Sequence, residues 1–90
     1  MFTVTIQDTE NKNEQDKIIS LSYTITGVYE TFDNVVNDTE VFTEPKDSLE
    51  LTEKAVIIGQ ALKDNITNIV TALKTASEVG DLGQMKVIVL

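Results

Sequence analysis

Fifteen carboxylates, seven lysines and two tyrosines are the only side chains in this 90-residue sequence that titrate, since it contains no histidine, cysteine or arginine. Without imidazole there is no Ser–His pair and no imidazole ligand for a metal. Without cysteine there is no structural zinc site, no thiolate chemistry and no disulfide framework. Without arginine there is no bidentate phosphate clamp. The glycines, at 27, 59, 80 and 83, fit neither GxGxxG nor GxxxxGK[ST], so no phosphate-cradling loop is expected. What remains is carboxylate chemistry. A carboxylate pair can hydrolyse glycosides, but it needs a concave site with one raised pKa, and a chain of this size with one core leaves little room for that. The sequence therefore predicts a protein that is not an enzyme and has no cofactor.

Oxygen ligands for a hard cation crowd two stretches: Asp8, Glu10, Asn11, Asn13, Glu14 and Asp16, then Glu30, Asp33, Asn34, Asn37, Asp38 and Glu40. Neither has EF-hand spacing. In the first, Lys12 occupies a ligand position and no glycine permits the sharp turn. Both read as solvated polar segments, and no metal site is predicted.

The net charge of −8 is unevenly placed. Residues 1–54 carry all of it, whereas residues 55–90 balance Asp64, Glu78 and Asp81 against Lys63, Lys74 and Lys86. Such a surface repels phosphate and anionic lipid, which argues against direct nucleic-acid or membrane binding. It would attract a basic partner. Glu30, Asp33, Asp38, Glu40, Glu44 and Asp47 recur through a β-rich stretch and could present a line of negative charge. One reading is thus an acidic inhibitor that occupies the basic nucleic-acid groove of a target enzyme. Solubility is the commoner meaning of such charge.

These residues must be held by a single α+β domain, 1–90, with about four mostly antiparallel strands packed by one long helix. Residues 2–7 alternate, with Phe2, Val4 and Ile6 opposite Thr3 and Thr5, as in a half-buried strand. Residues 8–16 read as an exposed loop. Alternation resumes at 17–26, placing Ile19, Leu21, Tyr23 and Ile25 on one face and Ser20, Ser22, Thr24 and Thr26 on the other. Gly27 predicts a bulge or bend in a strand continuing to 36. Asn37-Asp38 and Glu44-Pro45-Lys46-Asp47 read as turns around a short strand at 39–43. Leu49 and Leu51 suit an edge strand or the approach to the helix. Residues 85–90 are apolar on both faces, the pattern of a central strand.

The helix, about 52–79, is the strongest pattern. Leu51, Ala55, Ile58, Leu62, Ile66, Ile69, Leu73 and Ala76 fall within about 40° of one line, and Val79 closes the apolar series. Thr52 and Glu53 suit a cap and an acidic first turn, and Gly80 suits the stop. At about 1.5 Å per residue the helix would span roughly 40 Å, against about 31 Å for a compact globule of this size. It must kink at Gly59, lie in an elongated domain, or overhang onto another chain. Val56 and Ile57 lie off the stripe, and Gln60, Thr67, Asn68, Thr71 and Thr75 make its outer face largely uncharged. That combination favours packing against a second copy.

The leading expectation is a non-enzymatic protein-interaction or assembly module. It would self-associate, as a dimer first, through the helix and the C-terminal strand, with Val56, Ile57, Thr67 and Thr71 as candidate contacts. The acidic inhibitor, with the six carboxylates from Glu30 to Asp47, is the alternative. The absence of an apolar run of about eighteen residues, of a secretory leader pattern and of cysteine suits a cytoplasmic protein. The small size, the acidic N-terminal half and the absence of arginine, histidine and cysteine are compatible with a small accessory protein of a phage or mobile element.

Overall fold

Alternation in the first half of the chain produces an antiparallel meander: β1 (Phe2–Lys12), β2 (Ile18–Tyr29) and β3 (Phe32–Lys46). The long helix α1 (Leu51–Ser77) follows, and β4 (Met85–Val89) returns beside β1, parallel to it. The computed structural model describes all 90 residues. It is a single-helix α+β fold with a four-stranded sheet in the order β3-β2-β1-β4.

The helix covers one sheet face. Phe2, Val4 and Ile6 of β1 join Tyr23 and Ile25 of β2 and Ile58, Ala61, Ile69 and Leu73 of α1 in the core, closed by Leu82. The opposite sheet face is mostly polar, with Val35 and Val41 exposed among hydroxyl and amide side chains, as suits an antiparallel sheet with one solvated side. There Asn11 Nδ2 donates to Ser22 Oγ at 2.7 Å, and Thr24 Oγ1 donates to Asn37 Oδ1 at 2.7 Å.

Gly27 introduces no bulge: the β1–β2 register runs unbroken past it, with Val4 opposite. Its role is close approach. A Cβ there would collide with the Ile69 side chain and lie 3.3 Å from Leu73 Cδ1 and Phe2 Cε2. The irregularity lies instead between Ile18 and Ser20. It buries Ile18 and leaves Ile19 37% exposed, reversing the alternation expected there.

Three loop expectations also change. Asp8, Glu10 and Asn11 belong to β1, and the connection to β2 is short. Asn13 closes it, its Oδ1 accepting from the Gln15 and Lys17 amides at 3.0 Å each. The hairpin between β2 and β3 turns at Glu30-Thr31, with Glu30 at φ 55°. Asn37 and Asp38 pair across to Thr24 and Tyr23 inside β3 rather than forming a turn. Pro45 is tolerated in β3 because it falls in the irregular stretch of an edge strand, where no ladder donor is needed.

The helix starts at Leu51 with Glu50 as N-cap, without a side-chain cap, and Glu78 rather than a glycine takes the left-handed C-cap conformation at φ 57°. It runs unbroken through Gly59. Its length is accommodated by shape, since the molecule measures 49 × 19 × 18 Å. β4 is an edge strand, contrary to its apolar pattern. The helix lies over β2 and β3, so nothing covers β4.

Candidate functional site

The expected stripe of α1 divides along its length. Ile58, Ile69 and Leu73 are buried, whereas Leu51, Ala55 and Ala76 are exposed and Leu62, Ile66 and Val79 are half-buried. The buried direction turns between the two ends, because a straight helix cannot follow a twisted sheet over this length. In the N-terminal half Ile57 and Ala61 are pressed toward β2 and β3. Leu51, Ala55 and Leu62 are thereby turned toward β4.

Between that flank and β4 lies an apolar groove of about 480 Å³, whose walls include Leu51, Leu62, Ile6, Val87, Val89 and Leu90. Val89 is 61% and Leu90 67% exposed. Val87 and Val89 share the helix-side face with Val4 and Ile6, their partners in β1. At one end Lys54 Nζ meets Glu10 Oε1 at 2.6 Å, with Asp8 in the same wall. Hydrogen bonding to Glu10 raises the Lys54 pKa against the opposing effect of burial, aided by the charges of Asp8 and Glu10. The ammonium is thus matched by its neighbours, and the rest of the groove offers shape and apolar surface rather than charge.

Of the four candidate contacts on the helix, three are exposed and one is packed inward. Val56 is 71% exposed, and Thr67 and Thr71 are exposed. Ile57 packs against the core, beside Tyr23. The sheet therefore partly covers Ile57, although this residue lies off the apolar stripe, because the helix is rolled toward β3 at this end.

The carboxylates do not form one line. Glu30 is in the hairpin turn. Asp33 pairs with Val28, and Asp38 and Glu40 pair with Tyr23 and Leu21, so alternation sends them to opposite sheet faces. Glu44 is exposed in the irregular stretch, and Asp47, beyond β3, is paired with Lys17, which holds its carboxyl below the usual range. Burial raises the Tyr23 pKa, and the charges of Asp38 and Glu40, a hydrogen bond to Asp38 and the charge of Asp64 add to it. No three carboxylates gather closely enough to hold a metal ion. No helix is long and apolar enough to cross a membrane.

No protein-family model, curated protein or solved structure matches the chain.

The helix wall of the groove comes from the expected stripe, through Leu51, Ala55, Ile58 and Leu62, whereas its strand wall lay outside that pattern. Its signal was present in β4, where Val87 and Val89 oppose Ile88 and Leu90 although one helix can cover only one face.

Proposed function

We propose that this chain is a non-enzymatic assembly module that associates with a second copy through α1 and β4. The observation carrying this reading is that β4, apolar on both faces, lies at an open sheet edge beside the groove formed with Leu51 and Leu62. Apolar strands at open edges are hazards for uncontrolled pairing unless something covers them. A second copy is the favoured cover because β4 itself carries no acid and only Lys86, while Glu10 at the groove's end is paired with Lys54.

Sedimentation equilibrium tests this. The expected result is a mass rising from monomer to dimer between about 1 and 100 µM, the range in which modest interfaces associate. A monomer throughout that range overturns the reading. The acidic-inhibitor alternative has weaker support, because Asp33 and the pair Asp38 and Glu40 project from opposite sides of β3.

A further inference from the structure

The backbone of β4 specifies how a second copy would fit. The Leu90 amide donates to the Ile6 carbonyl at 2.9 Å, and Ile88 lies opposite Thr5. Alternate residues of a ladder strand turn their N–H and C=O groups to opposite edges. Lys86, Ile88 and Leu90 therefore bond toward β1, while Met85, Val87 and Val89 direct theirs to the open edge.

We propose that two copies join by antiparallel pairing of β4 with β4 across a two-fold axis at Val87, making one eight-stranded sheet with both helices on the same face. This deepens the assembly reading and rests on it. In that register Val87 faces its own symmetry mate and Met85 faces Val89, so each of the three outward residues meets another outward residue. The seam then holds about six backbone hydrogen bonds, two per bonded pair. Shifting the axis to Lys86 or Ile88 keeps outward residues opposed but leaves one of them without a partner. The register also places Met85, Val87 and Val89 on the helix side, where the grooves of the two copies merge.

Charge selects this edge over the other. β3 carries Asp33, Asp38, Glu40, Glu44 and Pro45, features that blunt an edge against pairing. Joining at β4 puts the two β3 edges at opposite ends of the sheet, about 34 Å apart at about 4.8 Å per strand. That is several screening lengths of about 8 Å. Joining at β3 would bring the acids together.

The test uses Val87→Pro, which removes an outward N–H that β1 does not use. Circular dichroism and the urea midpoint check that the fold is kept. Association should weaken about tenfold or more, as expected from losing the central cross-strand bonds. In the wild type, amide exchange at Met85, Val87 and Val89 should slow as concentration rises. If β4 detaches in the proline variant, Val89→Lys probes the same seam, since Val89 is exposed and borders the groove; it should also weaken association about tenfold. Self-association that survives in the folded variant, with wild-type exchange at those three amides staying fast as concentration rises, overturns the β4 seam but leaves the assembly reading standing. A wild-type chain that never associates overturns both.

Discussion

Gly27 and Gly59 differ by what stands over them. At the first the helix presses close against the sheet, and a methyl group there must displace Ile69. Gly27→Ala should therefore destabilise by about 1–3 kcal/mol, the usual cost of overpacking. Gly59 has no heavy atom within 4 Å of a Cβ position, and Gly59→Ala should stabilise by up to about 1 kcal/mol through helix propensity. Urea midpoints of both variants check this pair, and equal effects would mean that the helix does not sit over Gly27. Tyr23 gives a pH prediction. Its folded-state pKa lies above the ordinary value, through burial and then the charges of Asp38 and Glu40. The unfolded chain therefore loses this proton first, from about pH 10, and the stability present below that pH falls as pH rises toward the folded value. Lys54, also raised, acts in the same direction. Tyr23→Phe should flatten the alkaline fall in unfolding free energy, and an unchanged slope would assign it to the lysine alone.

Among the elements, α1 joins two environments. Its C-terminal half is clamped, with Ile69 and Leu73 fully buried. Its N-terminal half borders the groove, and Leu62 is only half-buried. Ile69→Ala and Leu73→Ala should each cost about 2–5 kcal/mol, whereas Leu62→Ala should cost below about 2 kcal/mol because less apolar area returns to water. Equilibrium unfolding at low concentration distinguishes the two groups, and equal losses would mean that the groove is filled within one chain. The surface pairs Lys12–Asp16 at 3.6 Å and Lys46–Glu53 at 3.5 Å are substantially exposed, and such pairs contribute little.

For the whole molecule, the 49 Å long axis lets one unkinked helix span the domain. Two copies of a chain with net charge −8 repel at range, so added salt should leave dimerisation unchanged or tighten it. Sedimentation at low and high salt checks this. Salt-induced dissociation would instead indicate attraction between opposite charges, which the mutual approach of two β4 edges does not supply.

The sequence by itself determined the fold class, the faces of β1 and of β2 from Leu21 onward, and the existence of the helix, because these follow from local periodicity. Phe2, Val4 and Ile6 alternate with threonines, and Ile58, Ile69 and Leu73 recur at helical spacing, whatever lies further along the chain. It also excluded imidazole, thiolate and guanidinium chemistry by composition. The strand order, the role of Gly27 and the exposure of β4 were decided by tertiary structure. Each depends on where a remote element comes to rest: Ile69 over Gly27, Thr24 beside Asn37, and the helix over β2 and β3 instead of β4. An apolar strand reads the same in sequence at the centre of a sheet or at its edge, because periodicity records what a residue can bury and not what is present to bury it.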